Sequence, residues 1–234
     1  MEPVLEVSSL IKKYGRKVVL NKTEFTIKTN RIVGLLGPNG SGKTTLIKII
    51  TGLLHQNSGS VKILGKDVSY ETKLSVSFMP DTNNLYNWMK VKDAIKFYSD
   101  FFQDFDVAKS HELSDFMKLN LNDPIKSLSK GMLERLLLTL TLSRKTSLYV
   151  LDEPLGGVDP AAKSKIIDSI LDYYSSENCS LLISTHLIKD VERLFDDVLF
   201  LKSGQITLSG DCETLREQNS KTIEELYLEV FEND

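Results

Sequence analysis

Nine consecutive residues, Gly37-Pro38-Asn39-Gly40-Ser41-Gly42-Lys43-Thr44-Thr45, constrain this chain more than any other stretch of it. They match the pattern G-x-x-x-x-G-K-[ST] and stand where its mechanism requires, between the run RIVGLL and the segment KTTLIKIITG. The first run predicts a buried strand. In the second, Leu46, Ile47, Ile49 and Ile50 form a largely apolar surface that predicts a helix stopped at Gly52. Gly37, Gly40 and Gly42 let the backbone wrap an anion with its N–H groups turned inward, Asn39, Ser41 and Thr45 complete the cradle, and the helix N-terminus adds its dipole. Lys43 can reach the β- and γ-phosphates, and the Thr44 hydroxyl can ligate Mg²⁺. The pattern implies nucleoside triphosphate binding and leaves kinase, GTPase and ATPase open.

The surrounding pattern predicts an α/β fold. VLEV, EFTIK, RIVGLLG, SVKIL and VSFM read as short strands up to about Met79. VKDAIKFYSDFF, DVAKSHELSDFMKLN and KGMLERLLLTLTLSR then follow as helices with no strand between them. Strand and helix alternate again through SLYVLDE, AAKSKIIDSILDYY, SLLIST, LIKDVERLF and DVLFLKS, which implies a largely parallel sheet. The tail from Cys212 reads as helical. The expected organisation is one α/β core with a helical lobe inserted in its middle.

A second chemical centre lies at the end of the run Leu148–Leu151, where Asp152-Glu153-Pro154 closes a strand. Adjacent strand residues splay to opposite sides, so the two carboxylates can take different tasks. Asp152 is placed to hold Mg²⁺, and Glu153 to polarise a water for attack on the γ-phosphate. A guanine-specifying N-K-x-D is missing, because Asn21-Lys22-Thr23-Glu24 ends in the wrong residue and precedes the phosphate loop. That argues against a GTPase.

Charge and length narrow the partners. The 29 Lys and Arg against 32 Asp and Glu leave a formal net charge of -3, so no global field holds the chain on nucleic acid or anionic lipid. Nucleic acid is not expected as a partner. No apolar stretch approaches the roughly 20 residues of a membrane span, and the acidic, strand-like N-terminus does not read as a signal peptide. Work at a membrane would need another chain to supply the membrane part. Cys179 and Cys212 make no disulfide framework and are expected reduced, as in a cytosolic protein.

Between the two centres stands Leu128-Ser129-Lys130-Gly131-Met132, opening an apolar helix. With Lys43, Asp152 and Glu153 in this order, the chain resembles the ATP-binding subunit of an ABC transporter over essentially its whole length. The segment is similar to the family's LSGGQ signature, with Lys130 and Met132 as departures. The resemblance implies a P-loop NTPase core with a mostly parallel sheet (residues 1–84 and 146–234), an N-terminal antiparallel β-subdomain, and an α-helical insert at residues 85–145. It implies ATP and Mg²⁺ as cofactors and a homodimer or heterodimer of ATPase subunits. In that dimer Ser129 and Gly131 of one subunit meet the γ-phosphate of the other.

Further positions follow from the same resemblance. Tyr14 resembles the residue that stacks on adenine, His186 the switch histidine that contacts the γ-phosphate, and Gly157-Val158-Asp159 the loop that crosses to the partner. Asp81 occupies the place where the family usually has Gln. An ionised Asp only accepts hydrogen bonds and adds negative charge, yet it can also ligate Mg²⁺. His55 and His111 match nothing.

The function implied is an ATPase that powers a separate transmembrane subunit from the cytoplasmic face of the cell membrane. The segment TIEELYLEVFEND resembles the C-terminal helix of drug- and peptide-export ATPases, which points to export. Two other readings compete. A soluble ABC ATPase acting on ribosomes or chromosomes is disfavoured by a single phosphate loop and no extended heptads. A slow regulatory nucleotide-binding partner is motivated by Asp81 and Lys130, and opposed by Lys43, Asp152, Glu153 and His186.

Overall fold

The computed structural model describes residues 3–156, 163–164, 166–168, 170–171 and 179–232. The chain runs through β1 (Pro3–Tyr14), β2 (Lys17–Lys28), β3 (Ile32–Leu36), α1 (Lys43–Ile50), β4 (Ser58–Ile63), β5 (Lys66–Asp67), α2 (Tyr70–Lys73) and β6 (Val76–Met79). Three helices follow: α3 (Val91–Phe101), α4 (Val107–Phe116) and α5 (Lys130–Leu142). After β7 (Leu148–Asp152) come β8 (Ser180–Thr185), α6 (Ile188–Val191), β9 (Asp197–Lys202), β10 (Gln205–Asp211), α7 (Cys212–Asn219) and α8 (Ile223–Glu232). The described residues of 163–171 are helical.

The central sheet has six strands in the order β10-β9-β3-β8-β7-β6, parallel except for the β9–β10 hairpin. Its inner strands are apolar on both faces, as helix-covered parallel strands must be. In β3, Ile32 and Leu36 enter one core and Val33 and Leu35 the other. The same alternation divides β7, where Tyr149 and Leu151 face α5 and the helical lobe while Leu148 and Val150 face α1. The second core is closed by an antiparallel sheet, β2-β1-β4-β5, which contributes Leu5, Val7, Leu20, Ile27 and Val61. Sequence reasoning found these strands but cut them short, because β1 and β2 extend as a long ribbon whose outer ends bury little.

The tail is helical as expected, in two helices broken at Ser220 in the left-handed region (φ 53°). Thr222 and Glu225 then start the second helix: the Thr222 N–H donates to Glu225 Oε2 (2.7 Å) and the Glu225 N–H to Thr222 Oγ1 (3.1 Å). LIKDVERLF holds a single α-turn and a 3₁₀ turn at Glu192–Leu194, since the chain must turn Phe195 inward before entering β9. Among the described residues no helix is long and apolar enough to cross a membrane.

The helices α3–α5 share an apolar core with the sheet and are tied to it by polar contacts through Arg144. Its guanidinium donates to the Val76 carbonyl (2.8 Å) and to both carboxylate oxygens of Asp104 (3.1 and 3.0 Å), and lies 4.0 Å from the Phe102 ring centre. Nearby, Ser77 Oγ donates to the Thr141 carbonyl at 2.8 Å. Removing the buried guanidinium strands Asp104 and a strand carbonyl, so Arg144→Leu should cost about 3–5 kcal/mol. Arg144→Lys should restore only part of it, for want of a bidentate fork. Urea unfolding of both variants checks this, and equal stability of Arg144→Leu and the native chain would remove Arg144 as the joint.

Candidate functional site

The parallel register brings three strand ends together. Leu36 of β3 lies beside Thr185 of β8, and Ser184 lies beside Asp152 of β7. The segments that leave these ends are the phosphate loop, Glu153 and His186, so one edge collects all three. In the loop, Gly42 takes φ 113° as the cap of α1, a conformation that L-residues avoid, and no side chain caps the helix. A Cβ at Gly37 would lie 2.5 Å from the Leu201 carbonyl, so the strand must be bare there. The first turn of α1 has no acidic residue, and its N–H groups have no acceptor within the helix.

Two buried polar side chains stand in this loop. Ser41 Oγ is buried without a hydrogen bond. Lys43 is 6% exposed, and its ammonium donates to the Gly37 carbonyl at 2.7 Å and lies 3.6 Å from Glu153 Oε1. The donors, the cation and the dipole together fit a polyphosphate.

Opposite stands a connected set of acids. Ser184 Oγ donates to Asp152 Oδ1 at 2.5 Å, and the Glu153 N–H donates to both Ser184 Oγ and the Ser184 carbonyl at 3.1 Å. That double anchor holds Glu153 at φ 51°. Burial raises the Asp152 carboxyl above its usual range; hydrogen bonds from Ser184 and Thr44 pull it back, and the charges of Asp81 and Glu153 push it up again. Glu153 Oε2 lies 2.9 Å from His186 Nδ1, so this carboxylate sits between Lys43 and His186.

Thr44, Asp152 and Asp81 line one cavity of about 470 Å³, with Lys48, Tyr98 and Arg144 also in its wall. Thr44 and Asp152 supply hard oxygens suited to Mg²⁺. Among the described residues no three His, Cys, Asp or Glu converge as a metal cluster, so a cation here would draw on few protein ligands. This suits an ion that keeps water and phosphate oxygens in its shell.

The chain gathers Gly37, Asn39, Gly40, Ser41, Gly42, Lys43, Thr44, Thr45, Asp152, Glu153 and His186 at this edge, with Asp81 on the cavity rim. Ser129 and Gly131 lie elsewhere. Ser129 caps α5 by accepting from the Met132 N–H (3.2 Å), and a Cβ at Gly131 would meet open space. Tyr14 ends β1 opposite Lys17, half exposed, with Lys12 Nζ 5.2 Å from its ring centre. Asp159 and its neighbours Gly157 and Val158 lie outside the described residues.

Sequence reasoning missed Ser184 and Glu134. Ser184 was visible as a hydroxyl inside a fully buried strand, and Glu134 as an acid on the apolar face of α5. Glu134 Oε2 is buried without a hydrogen bond, and Lys130 Nζ lies 3.9 Å from Oε1. Burial is the main cause of a Glu134 carboxyl pushed up to about 7; Lys130 opposes the shift and Asp81 adds to it.

A family model described as ABC transporter matches residues 20–156. An uncharacterized ABC transporter ATP-binding protein of Bacillus subtilis, YdbJ, is 34% identical over 98% of this chain and 75% of its own length. The lantibiotic transport ATP-binding protein SrtF of Streptococcus pyogenes is 30% identical over 96% of both chains. A solved ATP-binding subunit of an ABC transporter superposes with a TM-score of 0.86 at 26% identity, covering 97% of this chain and 98% of that one.

The buried Glu134 has a signed consequence. Its folded pKa lies above the ordinary 4.5, so the fold favours the protonated acid and loses stability as pH rises from about 4.5 to about 7. Glu134→Gln cannot ionise. It should melt a few degrees above the native chain at pH 8, at roughly 2–4 °C per kcal/mol, and level with it near pH 4.5. A melting advantage independent of pH would contradict the assignment.

Proposed function

The chain belongs to the family of ABC transporter ATP-binding proteins and is an ATP-binding, ATP-hydrolysing subunit of a transporter; from that premise we propose that it powers export, from the cytoplasmic face of the membrane, through a separate transmembrane subunit. Subunits of this family dimerise and work with membrane subunits. The single observation that carries the catalytic reading is Glu153 held at the strand end between Lys43 and His186. Export is supported by the likeness to SrtF, whose name places it in lantibiotic transport, and by the C-terminal helix. A peptide or drug-like cargo is the reading we adopt.

Each residue then has a task. The α1 N-terminus and Ser41 hold the phosphates, and Lys43 exchanges its Gly37 carbonyl for phosphate oxygen. Mg²⁺ bound through Thr44 and Asp152 would neutralise phosphate charge. Glu153 orients the attacking water, and His186 turns toward the γ-phosphate. Tyr14 offers a flat face to adenine. Ser129 and Gly131 sit on α5 away from the phosphate loop, which supports a site completed by a second subunit. Asp81 takes the rim position beside the cation. We place the boundaries of the core at residues 1–84 and 146–234, with the helical insert at 85–145.

Lys43→Ala should sharply weaken ATP binding. Glu153→Gln should keep ATP affinity, lose turnover by about a hundredfold or more, and sediment as dimers with ATP-Mg. Wild-type turnover in Glu153→Gln would remove Glu153 from the mechanism. The same variant, affinity-purified from detergent-solubilised native membranes, should retain a polytopic exporter subunit. A polytopic importer subunit would overturn export, and ribosomal or chromosomal companions would overturn the transporter reading.

A further inference from the structure

The C-terminal helix α8 is fixed near both ends, to the turn that follows α6 and to the end of β9. At its start, the Glu192 carboxylate accepts from the Ile223 and Glu224 N–H groups, each at 3.4 Å, and pairs with Arg216 at 2.8 Å. Glu192 directly follows α6, the turn that leaves His186. Near its other end, Lys202 Nζ donates to the Val230 carbonyl at 2.8 Å, tying α8 to the end of β9. The helix is therefore braced against the turn that follows the His186 loop and against the end of β9.

Tyr227 faces inward from the middle of this brace. Its ring packs edge-on to Phe200 of β9 (centroids 5.8 Å apart) and against Phe231 (4.4 Å). A phenylalanine would satisfy those contacts equally, so they do not explain the hydroxyl. Tyr227, Glu224 and Leu228 form one wall of a cavity of about 240 Å³ whose other wall is His186, Leu187, Ile188 and Lys189. The site is electrically close as well, since the phenol is held above its usual range first by burial and then by the negative charge of Glu153.

We propose that Tyr227 is a positioning residue for ATP hydrolysis: from the C-terminal helix its hydroxyl orders the cavity behind His186 and keeps the imidazole directed at Glu153. This rests on the reading of Glu153 and His186 as the hydrolytic pair. A phenol beside a carboxylate and an imidazole can donate to one and accept from the other, directly or through a water. The cavity is large enough to hold one and presents His186, Lys189 and Glu224 as polar partners among its apolar lining. The tail helix thereby becomes part of the active-site scaffold.

The chain has three histidines, His55, His111 and His186, so imidazole resonances can be assigned one by one. Tyr227→Phe should shift the His186 ring resonances while leaving those of His55 and His111 in place. It should lower kcat about three- to tenfold, with KM for ATP within about twofold and Tm within about 2 °C of the native values. Unmoved His186 resonances, or an unmoved kcat, overturns the proposal. So does a loss of activity matched by a fall in Tm, which would make the hydroxyl merely structural. Glu153→Gln run alongside separates the two levels: native turnover in that variant counts against the hydrolytic pair itself, whatever Tyr227→Phe does.

Discussion

The meeting of the phosphate loop with Asp152, Glu153 and His186 depends on the register of three parallel strands. With Asp152 beside Ser184 and Leu36 beside Thr185, the ends of β7, β8 and β3 terminate together. A shift of one residue would turn each strand's side chains to the opposite core and carry Ser184 away from both acids. The two apolar cores therefore do more than hold the sheet, because their alternation fixes which residues face the phosphate loop.

At that edge the charges are arranged as a closed account. Glu153 lies against Lys43 and His186, while the Lys43 ammonium also rests on the Gly37 carbonyl. The groups suited to a γ-phosphate are thus satisfied by a carboxylate of the same chain. On the proposed mechanism a nucleotide would compete with Glu153 for its partners and release that carboxylate toward water, so that binding and activation of the base would be one event.

What the sequence made legible was local. The phosphate loop, the strand ending in Asp152 and Glu153, and the run of three helices each carry their signal in adjacent residues. The long-range pieces were hidden. Ser184 matters through its partner 32 residues away, and Arg144 through Asp104 and the Val76 carbonyl. No spacing rule announces such contacts. The break in the tail was legible in principle, since Thr222-x-x-Glu225 is a helix-start pattern, but the apolar periodicity on either side concealed it. Nothing in the sequence sets Tyr227 apart from the rest of its helix, and only its neighbours in space distinguish its hydroxyl.

The left-handed backbone at Glu153 bears on how such a chain is maintained. For a residue with a side chain this conformation costs about 1–2 kcal/mol, and glycine would occupy it more cheaply. Glu153→Gly would relieve that cost and delete the carboxylate in one step, so this position sets the stability of the fold against the acid held between Lys43 and His186.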